Sequence, residues 1–330
     1  ACGTARGRPL EGRRVGVSAI LAPAADLAPQ ALALLEGFEM VYAGKTPTQD
    51  ELLALCRTHD PVAIIVRYGK VDAAMIDAAP SLKVISKHGS GTDTIDKAAA
   101  QARGIEVVAA AGANAAAVAE QALALMLACA KSVVTLDARM RAGHWDKATH
   151  KSLELHGRTV GLVGLGAIGQ RFARMADAMG MQVLGFDPFA KDLPRWIQPA
   201  ALEDIWRESD VISLHCPLTA ENRNLLDAGT LARCKKGVIV VNTARGGLID
   251  EGALLAAIQS GQVRSAGLDS FAVEPMSAGH PFQNEPRIVL SPHIGGVTGD
   301  AYVNMGVAAA RNLLAVLQRR AADTSAQQAR

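Results

Sequence analysis

Residues Thr159–Asp187 read TVGLVGLGAIGQRFARMADAMGMQVLGFD. Val160 to Val163 is a short apolar run, long enough for a buried strand. Gly164-Leu165-Gly166-Ala167-Ile168-Gly169 follows directly. Ile168, Phe172, Met175 and Met179 then recur at helical spacing, and a second apolar run, Met181 to Phe186, ends in Asp187. Strand, glycine turn, helix, strand and acid within about thirty residues form the context that a dinucleotide fingerprint requires. Each glycine has a physical task. Gly164 lets the chain turn off the strand, Gly166 lets backbone approach a pyrophosphate, and Gly169 lets the helix pack close to the sheet. The helix N-terminus offers free N–H groups and the positive end of its dipole to phosphate. Asp187 would accept from the adenosine ribose hydroxyls and repel a 2′-phosphate, so the stretch predicts NAD rather than NADP.

Outward from this unit, strands alternate with helices on both sides, which predicts parallel sheets. Upstream, strands are expected at 14–21, 38–42, 62–66, 82–85 and 105–108, with a helix over 24–35. Asn114 to Val134 reads as a long helix able to bridge two domains, and Thr135 to Leu155 as polar and less regular. Downstream, strands at 211–215, 238–242, 265–271 and 288–291 bring the second half to six, the number a full dinucleotide fold uses. Val297 to Arg319 reads as a long closing helix, and the polar stretch from Ala321 as disordered.

At 330 residues the length favours two domains. A formal net charge of +2 gives no argument for nucleic acid or for an anionic membrane, and Arg6, Arg8, Arg13 and Arg14 read as a solvated tail. Five scattered cysteines lack metal-ligand spacing, so no metal site and no disulfide framework are expected. No apolar run reaches the length of a membrane span, and no targeting signal is read, which points to the cytoplasm.

Ligands bind outside the carboxyl ends of strands in an open parallel sheet. The strand at 238–242 leads to Arg245, that at 265–271 to Asp269 and then Glu274, and that at 288–291 to His293. An arginine, a carboxylate and a histidine therefore gather on the edge where a nicotinamide should lie.

The residues HGSGTDTID, VAEQAL, VGLVGLGAIG, DPF, HCPLT, VVNTARGGLIDE, AGLDSF with EP, and SPHIGG occur in order between about Val62 and Met305. In this the chain resembles the D-isomer-specific 2-hydroxyacid dehydrogenase family, which includes phosphoglycerate dehydrogenases and hydroxypyruvate/glyoxylate reductases. The resemblance implies two doubly wound α/β domains with an active site in the cleft between them. A Rossmann NAD-binding domain, residues 109–294, would be inserted into a flavodoxin-like substrate domain built from 1–108 and 295–330. It implies NAD-dependent interconversion of a 2-oxo acid and a D-2-hydroxy acid by a homodimer, with residues 114–134 at its interface.

It also implies residue roles. Arg245 would bind the substrate carboxylate, His293 would be the general acid/base, and Glu274 would hold the ring and fix its tautomer. Ser90, Gly164, Gly166, Ala167, Ile168, Gly169, Asp187, Pro217, Thr243, Asp269, Gly295 and Gly296 would contact cofactor. Asp269 and the Thr243 backbone would take the nicotinamide amide. Gly89-Ser90-Gly91 reads either as an ordinary strand-to-helix turn or as an anion nest for the substrate carboxylate. Arg67 and Lys87 read either as solvated cations or as partners for a second negative group on the substrate, with Tyr68 among the side chains that select it.

Some positions depart from the family pattern. Ala109-Ala110-Ala111 lacks the common proline, and Ala115 to Ala117 replace polar residues often found there. Glu274 stands where formate dehydrogenases carry glutamine, and Ile-Gly-Gly-Val after His293 differs from D-lactate dehydrogenases. No regulatory domain, and so no serine feedback, is expected from the length. The competing reading is an NAD(H)-sensing, corepressor-like binding protein without turnover, which the Arg–Glu–His set opposes.

Overall fold

A computed structural model describes residues 17–23 and 26–328. Expected elements reaching into 14–16 and 24–25, the arginines before residue 17, and Cys2 lie outside the described residues. The chain divides into two compact units, one holding residues up to Asn114 and from Gly299 on, the other Ala115–Thr298. These boundaries lie four to six residues from the sequence-based ones.

The first unit alternates β1 (Ala19–Ala22), α1 (Pro29–Leu34), β2 (Glu39–Tyr42), α2 (Gln49–His59), β3 (Ala63–Val66), α3 (Ala73–Asp77), β4 (Val84–Lys87), α4 (Lys97–Ala102) and β5 (Glu106–Ala109). Its five strands are parallel in the order β2-β1-β3-β4-β5. β1, β3 and β4 are buried along their whole length, as continuous apolar strands covered on two faces must be. The helices start where acceptor side chains take up orphan N–H groups: Thr48 with Glu51 forms a capping box, and Asp72 and Asp96 cap α3 and α4.

The second unit opens with α5 (Ala115–Lys131) and α6 (Val133–Arg141), bent by 60° where Ser132 takes a left-handed conformation at φ 56°. The region expected to be irregular thus begins as helix, and α5 packs within the second unit, through Ala119, Ala122, Leu125 and Met126. Then come β6 (Thr159–Val163), α7 (Ala167–Ala178), β7 (Gln182–Phe186), β8 (Gln198–Pro199), α8 (Leu202–Glu208), β9 (Val211–Leu214), α9 (Ala228–Arg233), β10 (Val238–Asn242), α10 (Glu251–Ser260), β11 (Val263–Leu268) and β12 (Ile288–Leu290). The sheet runs β12-β11-β10-β9-β6-β7-β8, all parallel. It holds seven strands among the described residues rather than six. The extra one, β8, is two exposed residues pairing Gln198 with Leu184, too short to leave a periodic signal.

The chain then returns to the first unit as α11 (Gly299–Gln328). Ala309, Ala310, Leu313 and Val316 of α11 cover Ile20, Ile65 and Val84 of the sheet. Ser86 Oγ donates to the Ala309 carbonyl at 2.8 Å, and Asn312 Nδ2 to that of Ala109 at 2.9 Å. α11 runs through residues expected to be disordered. No glycine or proline interrupts 321–328, and the Thr324 and Ser325 hydroxyls bond back to the carbonyls of Arg320 and Ala321. Among the described residues no single helix is long and apolar enough to cross a membrane.

Candidate functional site

The glycine turn sits at the carboxyl end of β6, and the structure gives each glycine its reason. Gly164 has φ +97°, and a Cβ there would lie 2.6 Å from the Cys216 nitrogen. A Cβ on Gly169 would run into the Gly164 carbonyl oxygen, so the helix could not approach the turn. Gly166 faces open space and is the N-cap of α7, which has no side-chain cap. The first N–H groups of α7, from Ala167 and Ile168 on, are therefore left for an external acceptor. By contrast α9 and α10, in the same unit, are capped by Asp227 and Asp250. An uncapped helix start behind an unobstructed glycine fits the pyrophosphate of a dinucleotide.

Asp187 follows β7 as expected, but its carboxylate is already engaged. Oδ2 accepts from the Leu165 N–H at 2.8 Å and Oδ1 from the Phe189 N–H at 2.9 Å. The acid thus braces the glycine turn and its own loop, and each oxygen keeps lone-pair capacity for a ribose hydroxyl. Pro217 is exposed, and its carbonyl accepts from Asn222 Nδ2 at 2.8 Å. Thr243 is buried, with an unpartnered Oγ1. A cavity of about 500 Å³ opens beside Asp187, lined by Phe186, Ala190, Leu193, Arg195 and Ile197 among others.

Arg245, Glu274 and His293 follow three adjacent strands, β10, β11 and β12. Asn242, the last residue of β10, is fully buried. Its Oδ1 accepts from the Ala244 N–H at 3.0 Å, and its Nδ2 donates to the Arg245 carbonyl at 2.9 Å. This one amide shapes the loop that carries the guanidinium. Gly246 comes next because nothing larger fits: a Cβ there would strike the backbone of Phe271 and Ala272. The arginine loop therefore lies directly on the segment leading to Glu274.

Glu274 is fixed at both oxygens. Oε1 accepts from the Phe271 N–H at 2.9 Å, and Oε2 meets His293 Nδ1 at 2.7 Å. An ionised carboxylate can only accept, so Nδ1 carries the proton and Nε2 is left to exchange one. His293 is half exposed and adopts φ +53°, unusual for a residue with a side chain.

Asp269 is tied into the histidine loop. It is 1% exposed, and its carboxylate accepts three hydrogen bonds from the histidine loop. Ser291 Oγ donates to Oδ1 at 2.6 Å, the Ile294 N–H to Oδ1 at 3.0 Å, and the Gly295 N–H to Oδ2 at 2.8 Å. Gly295 is buried against this carboxylate, its N–H spent inside the loop, while Gly296 is partly exposed. Sequence reasoning missed Asn242, Gln121 and Ser291. Ser291 opens SPHIGG and Gln121 lies in VAEQAL, but neither motif says that the two side chains meet, as they do at 3.1 Å.

In the first unit, Ser90 Oγ donates to Asn114 Oδ1 at 3.0 Å, and Gly89 has φ +151°. Arg67 is clamped between two rings, its Cζ 4.8 Å from the Tyr68 centroid and 4.7 Å from that of Tyr302. Lys87 turns inward, with Nζ donating to the Arg67 carbonyl at 2.7 Å. His88 is 2% exposed and packs on Tyr302, with neither ring nitrogen hydrogen-bonded. Burial, with Arg67 and Lys87 nearby, pushes its pKa down to about 4. Among the described residues no cluster of three or more His, Cys, Asp or Glu could hold a metal ion.

Comparison with known proteins adds a family. The profile of the D-isomer specific 2-hydroxyacid dehydrogenase NAD binding domain matches residues 123–295. A D-3-phosphoglycerate dehydrogenase of Mycobacterium bovis is 40% identical over 291 residues, covering 87% of this chain and 54% of that protein. A hydroxypyruvate reductase of Thermotoga maritima is 39% identical over 276 residues, covering 83% of this chain and 90% of that protein. The crystal structure of a glyoxylate reductase from Paecilomyes thermophila superposes with a TM-score of 0.82 at 31% identity, over 91% of this chain and 95% of that one. The chain spans about half the length of the phosphoglycerate dehydrogenases it matches.

Proposed function

The chain belongs to the D-isomer-specific 2-hydroxyacid dehydrogenase family, and from that premise we propose that it interconverts a 2-oxo acid and a D-2-hydroxy acid with NAD. The observation that carries this reading is the His293–Glu274 pair, at 2.7 Å, whose residues follow β12 and β11, with β11 next to the strand that leads to Arg245. A bound nicotinamide supplies or accepts the hydride. The remaining tasks fall to side chains. In the reducing direction His293 gives the proton at Nε2 to the carbonyl oxygen, and in the other it takes one from the hydroxyl. Glu274 holds the ring so that Nε2 points outward. Arg245, permanently charged and planar, grips the carboxylate and orients the carbonyl beside it.

The uncapped turn 164–169 and Asp187 would hold the dinucleotide, with Pro217, Thr243, Asp269 and Gly296 as further contacts. Gly89-Ser90-Gly91 and Arg67 would serve the substrate. A guanidinium clamped between two tyrosine rings, with no carboxylate in an ion pair with it among the described residues, suits a second negative charge. This favours substrates of the phosphoglycerate dehydrogenase or hydroxypyruvate/glyoxylate reductase kind. The working form would be a homodimer, since Val133, Val134, Met140 and Trp145 leave apolar side chains exposed along and just beyond α6. The four described cysteines are free, which suits a reducing compartment such as the cytoplasm.

The test is NADH oxidation, followed by absorbance, with hydroxypyruvate, glyoxylate, phenylpyruvate and 3-phosphohydroxypyruvate. Turnover of at least one is expected, with Arg245→Ala losing it while NADH still binds. Silence across the panel with tight NADH binding would instead favour a nucleotide-sensing protein.

A further inference from the structure

A histidine at φ +53° carries backbone strain that its surroundings must hold in place. In this chain the restraint can be traced atom by atom. His293 N–H donates to the Ser291 carbonyl at 3.0 Å, closing a tight turn. The next two N–H groups, of Ile294 and Gly295, both end on Asp269. The Asp269 carboxylate is itself held from the other side. Ser291 Oγ donates to it at 2.6 Å, and Gln121 Nε2 donates to Ser291 Oγ at 3.1 Å.

Gln121 comes from α5, far away in sequence yet rigidly placed. Leu125, one helical turn on, packs so closely on β11 that a Cβ at Gly267 would lie 2.8 Å from its Cβ. Gln121 also flanks Gly295, where an added Cβ would lie 3.6 Å from the Gln121 side chain. A helix packed directly on the sheet thus reaches the histidine turn through one amide, one hydroxyl and one buried carboxylate. The hydrogen bonds of these groups end on one another and on the turn's backbone, and the described bond of the His293 ring is to Glu274, so their influence is on its aim.

We propose that Gln121 and Ser291 are positioning residues, which through Asp269 hold the left-handed turn at His293 and so point Nε2 at the reacting oxygen. This rests on the proposed role of His293 as acid/base. The hydroxyl matters because it accepts from Gln121 while donating to Asp269, so each removal unties a different link. Without the hydroxyl, Asp269 loses a side-chain donor and Gln121 its acceptor. Without the amide, Ser291 can rotate to the Leu268 carbonyl, already 3.5 Å away, and release Asp269.

The experiment compares Ser291→Ala, Gln121→Leu, Ser291→Thr and His293→Asn with the parent protein, on whichever 2-oxo acid of the panel turns over fastest. Ser291→Ala and Gln121→Leu should each lower kcat by about tenfold, as small misplacements of a reacting group do. The NADH dissociation constant, read by fluorescence, should change less than kcat does, because neither substituted side chain is itself a proposed cofactor contact. Ser291→Thr, which keeps the hydroxyl, should recover most of kcat. The downfield imidazole N–H proton resonance of the His293–Glu274 pair should broaden or vanish in Ser291→Ala and persist in Ser291→Thr. Parental kcat and an unchanged resonance in Ser291→Ala and Gln121→Leu, with His293→Asn inactive, would overturn the inference alone. Turnover by His293→Asn, or none by the parent on any panel acid, would overturn the reading beneath it. Equal losses of kcat and NADH affinity would show general damage and also count against the inference.

Discussion

Glu274 bonds at one oxygen to its own loop, through the Phe271 N–H, and at the other to His293 Nδ1, 2.7 Å away. The carboxylate is thus oriented before it meets the ring, and the ring inherits that orientation. Glu274→Gln keeps the shape but can present an amide N–H toward Nδ1, favouring the opposite tautomer. We expect kcat to fall by about 10²-fold with the NADH dissociation constant unchanged, checked by steady-state kinetics beside a fluorescence titration. A variant as active as the parent would remove Glu274 from the mechanism.

Asp187 braces the glycine turn through the Leu165 N–H, and in the proposed cofactor site it would oppose a 2′-phosphate. Asp187→Ala should weaken NADH and raise the ratio of NADPH to NADH efficiency by about tenfold, the effect of roughly 1.4 kcal/mol of lost discrimination. The ratio of kcat/KM values with the two cofactors measures it. An unchanged ratio would leave the acid a purely structural brace.

His88 makes a pH prediction whose sign follows from burial. Its folded-state pKa lies near 4, below the ordinary histidine value of 6.5. The unfolded chain therefore takes up a proton first as pH falls. Stability from this group is fully present above about pH 6.5 and drains away as pH drops toward 4. Between pH 7.5 and 5 the loss should be about 2 kcal/mol. Urea unfolding of the parent and of His88→Phe at both pH values isolates it, since the variant should lack that part of the slope.

Gly246 carries a steric prediction. Gly246→Ala must push away the Phe271–Ala272 backbone that leads to Glu274. A loss of about 2 kcal/mol in stability is expected, together with reduced kcat. Gly252→Ala, in the first turn of α10, is the control. Its nearest neighbour would be Asp250 Oδ1 at 3.4 Å, and about 0.5 kcal/mol of stabilisation is expected there. Chemical denaturation of both variants checks the contrast.

Much of this was legible in the sequence because it depends on neighbours along the chain. The turn 164–169 couples a strand, three glycines and a helix within a few residues, so spacing alone exposes it. Arg245, Glu274 and His293 were legible for a related reason: parallel strands put whatever follows them on one edge. What stayed hidden depends on distant pairings. Gln121 and Ser291 lie 170 residues apart and meet only because α5 packs on β11. Asp269 was expected to meet cofactor, but its bonds to the histidine turn were not legible, since their donors are mostly backbone N–H groups that have no letter in the sequence. The helical end of α11 was misread because polar composition was weighed above the absence of helix breakers.

The return of α11 to the first unit sets an order on biosynthesis. Ile20, Ile65 and Val84 leave the ribosome early, yet the side chains that cover them, Ala309 to Val316, emerge almost 300 residues after the first of these three. The nascent first sheet must wait with one oily face only partly covered, by Ala31 and its neighbours, while residues 115–298 are made and free to fold. That interval is when chaperone capture or premature degradation would be most effective, and slowing translation just before α11 should lengthen it.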